Sequence, residues 1–279
     1  MSTGNSPTRA PLGLALLGSE LSIMFRRRRT WAMLIGLAAV PILIAVAIRV
    51  SGSTGRGPAF IGDISSNGFF VSLAALTVAI PLFLPLTVGV VSGDSIAGEA
   101  ASGTLRYLLI APAGRGRLLV VKYIGAAVFS IAATFIVVIV GTLIGLALFP
   151  IGPVTLLSGD TISIGDALVR SLLLALYVSV SLLGFSAIGL FVSTLTDAPV
   201  GAIAGVIVLS VLSQVLDQLD QLAWLHPWLF TDHWLGFAGL LSNPISWDQF
   251  GSNLLLQGGY FVVFGALALG RFSTKDVLS

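Results

Sequence analysis

Six stretches of the chain are apolar over about 20 residues, the length that an α-helix needs to cross the hydrocarbon of a bilayer. They cover residues 30–50, 69–91, 121–149, 167–192, 199–216 and 253–270. Lipid offers no hydrogen-bond partner to exposed backbone groups, so each stretch has to form a helix. A composition of 56% hydrophobic and 9% charged residues lies well outside the range of soluble domains. The sequence therefore predicts an all-α integral membrane protein, with six transmembrane helices in a single domain of residues 1–279.

The distribution of Lys and Arg residues predicts the orientation. With both termini in the cytoplasm, eleven of the fourteen lie on that side, and only Arg49, Arg56 and Arg170 lie outside. Arg49 and Arg170 fall at the outer ends of their stretches, where a long side chain is expected to extend toward water. We therefore expect a multi-pass protein of the cell (inner) membrane with both termini cytoplasmic.

Four arginines, Arg26 to Arg29, precede the first stretch. A cleaved signal peptide or a twin-arginine signal is an alternative, but the apolar run after Arg29 is longer than a signal core and five more stretches follow. Just upstream, residues 12–25 read LGLALLGSELSIMF, with leucines at helical spacing. This segment is predicted to lie along the inner membrane interface as an amphipathic helix.

The chain lacks the residues that several kinds of chemistry require. There is no cysteine, and neither lysine, Lys122 or Lys275, follows a phosphate-cradling G-x-x-x-x-G-K-[ST] loop. We therefore expect no cofactor and no metal bound by this chain. His226 and His233, with Asp232 beside the second, leave a membrane-embedded enzyme open as a less favoured alternative. The net charge of +2 gives no argument for nucleic acid.

The loop between the fifth and sixth stretches is rich in tryptophan, which prefers the membrane–water boundary. It holds four of the chain's five, namely Trp224, Trp228, Trp234 and Trp247. The loop is predicted to form short helices that lie in or dip into the outer leaflet. Two interpretations stay open, an interfacial aromatic belt and a lid over a translocation path.

Two small-xxx-small patterns lie inside the predicted spans. They are Gly141 with Gly145 in the third and Gly201 with Gly205 in the fifth. Both pairs are predicted to pack helices closely, most simply within the chain.

A polar segment, GDSIAGEAASGTLRYLLIAPAGRGR at residues 93–117, joins the second and third stretches on the cytoplasmic side. Thr104, after Gly103, is a good N-cap, so residues 104–110 are predicted to form a short helix that Pro112 ends. A loop is then expected to present Arg115 and Arg117 before the third span begins near residue 121. Basic residues that only fix topology explain these arginines, but not an acid at 99, a Gly-Thr cap and a proline together. A short amphipathic helix here has the shape of a docking surface for another protein.

This segment follows the order E-x-x-x-G-T-L-R-x-L-L-x-x-P-x-x-R-x-R-L-L-x-x-K, from Glu99 to Lys122. The order resembles the cytoplasmic segment of the type-2 permeases of ATP-binding-cassette (ABC) transporters. The six spans, the N-terminal amphipathic segment and the long loop before the last span are similar to that family as well. Two departures are the absence of charge at residues 100–102 and Gly114 in place of the usual Ser.

The resemblance implies that this segment is a coupling helix that docks in a cleft of an ATPase subunit. The implied docking residues are Glu99, Gly103, Thr104, Leu105, Arg106, Leu108, Leu109, Pro112 and Arg115. It also implies a second permease as homodimer or heterodimer and two ATP-binding subunits, which would bind ATP and Mg in place of this chain. Export of a hydrophobic or amphipathic compound is the expected activity, and an ATP-independent channel or carrier is the alternative.

Overall fold

The computed structural model describes residues 12–51, 67–105, 114–152, 154–155 and 160–274. Within them, six helices are long and apolar enough to cross a membrane. These spans are Arg28–Val50, Phe70–Ala101, Arg115–Leu148, Ile164–Leu195, Pro199–Asp217 and Asp248–Thr274. The prediction of an all-α, multi-pass membrane protein is confirmed. Most spans extend beyond the predicted stretches, because a helix continues past the hydrocarbon where its ends find polar partners.

An N-terminal helix, Leu12–Arg26, precedes the first span and agrees with the predicted amphipathic segment. The helix is interrupted at Arg27, and this break, the elbow, separates it from the first span. Two side-chain bonds hold the elbow: the Thr30 hydroxyl donates to the Met24 carbonyl at 2.7 Å, and the Trp31 indole donates to the Phe25 carbonyl at 2.8 Å. The N-terminal helix then packs on the third span.

The second span is irregular in its middle. An α-helix, Phe70–Val78, passes through one turn of π-helix, Ala79–Phe83, into a second α-helix, Leu84–Ala101. Pro81 lies in the π turn and Pro85 follows it. A proline removes an N–H and clashes with the carbonyl one turn earlier, and a wider turn relieves that clash without breaking the span.

The fourth span is the centre of the bundle, with most of its apolar window buried by other helices. It packs against the second, third and sixth spans. Large side chains from its middle, Tyr177, Leu182 and Phe185, are almost fully buried. In contrast, less than a third of the apolar window is buried within the chain in the first, fifth and sixth spans.

In the described parts of the loops at the end opposite the N-terminal helix, the regular elements are short. Val154–Thr155 and Thr161–Ile162 form a two-stranded antiparallel ribbon after the third span. Between the fifth and sixth spans lie three 3₁₀-helices, Asp220–Leu222, His226–Trp228 and Gly236–Leu241. The short helices predicted for this loop are therefore present, in 3₁₀ form.

Candidate functional site

Charged side chains from three parts of the chain meet at the end of the bundle that carries the N-terminal helix. The Lys122 ammonium lies 2.9 Å from both carboxylate oxygens of Glu20 and 2.8 Å from Glu99 Oε1. Glu20 belongs to the N-terminal helix, Glu99 to the end of the second span and Lys122 to the start of the third. Lys122 is only 4% exposed. Two carboxylates supply the hydrogen bonds that a buried ammonium needs to offset its desolvation.

A tight turn follows Glu99 and leads into the predicted coupling segment. The helix ends at Ala101, and Gly103 adopts a φ of +70°, a left-handed conformation that glycine accepts without strain. The Thr104 hydroxyl donates back to Glu99 Oε2 at 2.5 Å. Glu99 is therefore held by Lys122 on one oxygen and by Thr104 on the other. These bonds fix the exit direction of the chain into the segment.

Leu105 points into the protein and not outward. It is 2% exposed and belongs to a small apolar cluster at this end of the bundle. The other buried members are Ile96, Leu118, Leu119, Leu190, Ala268 and Phe272. The docking role of the predicted set stays a prediction, but the structure gives the Leu105 side chain a packing role within this chain.

The third span begins at Arg115, so the prediction of a loop that presents Arg115 and Arg117 is wrong. Gly114, with a φ of +72°, turns the chain directly into the helix. The Arg115 guanidinium donates to the carbonyls of Phe272 and Ser273 at 3.1 and 2.8 Å. Carbonyls in the last turn of a helix lack intrahelical donors, and a cation there also complements the helix dipole. Arg115 therefore ties the start of the third span to the end of the sixth.

A second set of ion pairs joins the first and second spans at the same end. Asp94 Oδ2 lies 2.7 Å from the Arg29 guanidinium and 3.7 Å from that of Arg27. Asp94, Glu99, Glu20 and Lys122 all line a cavity of about 700 Å³ between the N-terminal helix and the second and third spans. Among the described residues, three acids and three bases line these walls.

The remaining predicted docking residues, Arg106, Leu108, Leu109 and Pro112, lie outside the described residues. Among those described, Glu99, Gly103, Thr104 and Leu105 form one continuous turn, and Arg115 starts the helix that follows. Sequence reasoning missed the partners of this turn. Glu20 is the one acid of the N-terminal helix, which was the available signal, but its partner Lys122 was identified only as a cytoplasmic basic residue and the last residue of the motif.

At the opposite end, Arg170 differs from its prediction. It does not extend to water but is 6% exposed, and it donates to the carbonyls of Leu240 and Ser242 at 2.5 and 2.8 Å. The loop between the fifth and sixth spans folds over it, which brings acceptors closer than water. Arg49 is exposed, as predicted.

The same loop descends between the fourth and sixth spans. Trp234 is 2% exposed, and its indole donates to the Ser181 carbonyl at 3.1 Å. The Gln257 amide donates to the Phe230 carbonyl at 3.0 Å and to Asn253 Oδ1 at 3.3 Å. Hydrogen bonds inside an apolar medium hold this part of the loop to the bundle. By contrast, Trp224, Trp228 and Trp247 are largely exposed, where an aromatic belt would place them.

The two glycine pairs differ in their surroundings. A Cβ at Gly145 would lie 2.0 Å from the Gly68 carbonyl oxygen, and one at Gly141 would lie 2.8 Å from the Ser72 Cα. The third span thus crosses the start of the second at backbone contact. Cβ atoms at Gly201 and Gly205 would have their nearest neighbours at 3.9 and 3.6 Å, which are ordinary contacts. Only the first pair packs closely among the residues that the structure covers.

The two histidines, His226 and His233, lie in the loop between the fifth and sixth spans. His233 Nδ1 lies 2.5 Å from Asp232 Oδ2, but within the described ranges no three His, Cys, Asp or Glu side chains are grouped to hold a metal ion. An Asp–His pair is not a catalytic arrangement by itself, because covalent catalysis also needs a positioned nucleophile. Nothing in this geometry favours the membrane-enzyme alternative.

Comparison with known proteins agrees with this architecture. The family model described as "ABC-2 family transporter protein" matches residues 14–227, which include the first five spans and the turn at Glu99. The "Probable ABC transporter permease protein NosY" of Pseudomonas aeruginosa is 31% identical over 126 residues, 45% of this chain and 42% of that protein. The protein of the same name from Stutzerimonas stutzeri is 32% identical over 106 residues, 38% of this chain and 35% of that protein.

The matched region is less than half the length of each of these relatives. The family model, however, covers well over half of this chain. Together with the six apolar helices, it confirms the resemblance to type-2 permeases. The chain is a multi-pass membrane protein that belongs to the ABC-2 transporter family.

Proposed function

We propose that this chain is the permease subunit of an ABC transporter of the cell (inner) membrane, with both termini in the cytoplasm. With a second permease, as homodimer or heterodimer, it forms the path for ATP-driven transport. Two copies of an ATP-binding subunit bind ATP and Mg and dock on the segment between the second and third spans. The direction is export, and the compound is hydrophobic or amphipathic.

The proposal is carried by the location of the turn at Glu99, which lies within the region that matches the family. This turn lies at the same end of the bundle as the N-terminal helix and the end of the sixth span. Lys122 bonds the turn and the N-terminal helix, and Arg115 bonds the end of the sixth span. A force on the segment therefore reaches the second, third and sixth spans at once. The same end holds the run from Arg26 to Arg29, which favours a cytoplasmic location for it.

The docking role is tested by co-expression with a candidate ATP-binding subunit from the same organism. Leu108→Asp places a charge in the predicted apolar docking face and should abolish co-purification of the ATPase, while Leu108→Met, which keeps the apolar volume, should retain it. If Leu108→Asp co-purifies the ATPase as well as the unchanged chain does, the docking prediction fails.

Direction and energy source are tested in inside-out vesicles with ethidium as an amphipathic probe. Export predicts that added ATP drives ethidium into the vesicles and that a hydrolysis-deficient ATPase subunit abolishes this uptake. Equal ethidium movement by the permease alone in liposomes, without ATP, would instead support the channel or carrier alternative.

A further inference from the structure

Lys122 connects two parts of the chain that are far apart in sequence. Glu20 precedes it by 102 residues and Glu99 by 23, and both reach the same ammonium within 2.9 Å. Apart from Arg170, Lys122 is the only nearly fully buried charged residue among those that the structure covers. A buried ammonium is stable only while its acceptors stay in place, so the three side chains are tied to one geometry.

The two carboxylates belong to elements with different neighbours. Glu20 lies on the N-terminal helix, which packs on the third span and meets the first span at the elbow. Glu99 lies one turn before Gly103 and also accepts from Thr104, so it is part of the turn that leads into the coupling segment. Lys122 thus bonds both the N-terminal helix and this turn directly.

The second ion pair at this end is of a different kind. The Arg29 and Arg27 side chains that face Asp94 are about half exposed. Water and salt weaken such pairs, and their contribution is small. The Lys122 ammonium is more buried, and it bonds both carboxylate oxygens of Glu20. The ion pairs of Lys122 are therefore the stiffer of the two connections.

We infer that Lys122 is a positioning residue that makes the N-terminal helix and the coupling turn move as one body. This inference rests on the proposed function, because the motion is the one that a docked ATPase would impose. A displacement of the coupling turn then carries the N-terminal helix with it, and through the elbow it reaches the first span. The Thr104 hydroxyl donates to Glu99 directly, across Gly103, so the displacement reaches Glu99 through this bond as well as along the backbone.

The chain has no cysteine, so spin labels can be placed at single introduced cysteines without removing any native residue. Ser19→Cys on the N-terminal helix and Ala101→Cys before the turn are both at exposed positions. Electron paramagnetic resonance on the doubly labelled chain should give one narrow distance distribution between them. In the complex with the ATPase, trapping with ATP and vanadate should leave that distance unchanged, because the two elements move together.

Lys122→Met keeps the apolar stem and removes the ammonium, so the distance distribution should broaden in the chain alone. In the complex the ATPase should still co-purify, but ATP-driven ethidium uptake should be lost. Arg271→Met is the matched control, since it removes an exposed cationic residue from the end of the sixth span. It should leave the distribution narrow and uptake intact.

A charge exchange separates positioning from general structural damage. In Glu20→Lys with Lys122→Glu, the same two carboxylates and one ammonium are present, with the ammonium supplied by the N-terminal helix. This double variant should narrow the distribution and restore uptake relative to Lys122→Glu alone. If Lys122→Met does not fold, Glu20→Gln provides the same test, because it removes the charge on the N-terminal side and leaves Glu99 paired.

The inference is overturned if Lys122→Met and Glu20→Gln both keep the narrow distance distribution. It is also overturned if the distribution of the double variant Glu20→Lys with Lys122→Glu is as broad as that of Lys122→Glu alone. It is also overturned if ATP and vanadate change the distance in the unchanged complex. If no ATPase subunit binds the chain, the proposed function fails, but the measurements on the chain alone still decide whether Lys122 holds the two elements together.

Discussion

The Arg170 guanidinium donates to the Leu240 carbonyl at 2.5 Å, across 70 residues of sequence. This bond joins the first turns of the fourth span to the last of the three 3₁₀-helices in the loop between the fifth and sixth spans. A second bond from the same nitrogen reaches the Ser242 carbonyl at 2.8 Å. One buried cationic side chain thus anchors the loop at the end of the bundle opposite the coupling turn.

Arg170→Met should lower the stability of the chain. The Met side chain fills part of the same space but leaves both carbonyls without their donor, at a cost on the order of 3 kcal/mol. Thermal unfolding of the purified chain in detergent should show a lower midpoint. Arg49→Met, at an exposed position near the end of the first span, is the control and should not change the midpoint. Equal midpoints for both variants would show that Arg170 does not anchor the loop.

Trp234→Phe should destabilise the chain, whereas Trp224→Phe should not. Phe keeps most of the ring contact with Phe185 but removes the indole N–H that bonds the Ser181 carbonyl, at a cost of about 1 kcal/mol. Trp224 is 71% exposed and loses only interfacial contacts. The same unfolding measurement compares the two. A larger effect at Trp224 would mean that the loop is held at the membrane boundary and not in the bundle.

The spans were predictable from the sequence because their signal is local. About 20 apolar residues in a row have one stable outcome in lipid, whatever they pack against. The N-terminal helix was equally predictable from the spacing of its leucines. Its bounds and those of the fifth span agree closely with the structure.

The polar contacts at the two ends were not predictable in the same way. Arg170 was placed at an outer, water-facing edge, and Lys122 at the cytoplasmic start of the third span, both of which are usual locations for a basic residue beside a span. Their burial depends on which loop or helix folds over them, and their acceptors lie 70 and 102 residues away. Residue type and local spacing carry no information on such a partner. The two glycine pairs show the same limit, because the same sequence pattern occurs in two different structural surroundings.

Leu105→Asp should destabilise the chain even without an ATPase partner. The aspartate would enter an apolar cluster with Leu118 and Phe272, where a charged carboxylate loses its hydration. The expected cost is at least about 3 kcal/mol, and Leu105→Met, which conserves volume, should cost less than about 1.5 kcal/mol. Unfolding of the permease purified alone measures both. If Leu105→Asp changes ATPase binding but leaves the unfolding midpoint of the isolated chain unchanged, the side chain acts at the docking surface and the cluster is not its role.

Gly145→Ala should destabilise the chain, and Gly201→Ala should not. The added methyl group at Gly145 would overlap the Gly68 carbonyl oxygen, a backbone atom that moves only if the second and third spans separate. Overpacking of this kind costs about 1–3 kcal/mol. At Gly201 the nearest atom to a new Cβ is 3.9 Å away, so alanine should be neutral or should stabilise the fifth span through its better helix propensity, by up to about 1 kcal/mol. Thermal unfolding of the isolated chain compares the two variants. A loss of stability at Gly201 that matches the loss at Gly145 would place a close helix partner beside the fifth span, and a second permease copy would be its source.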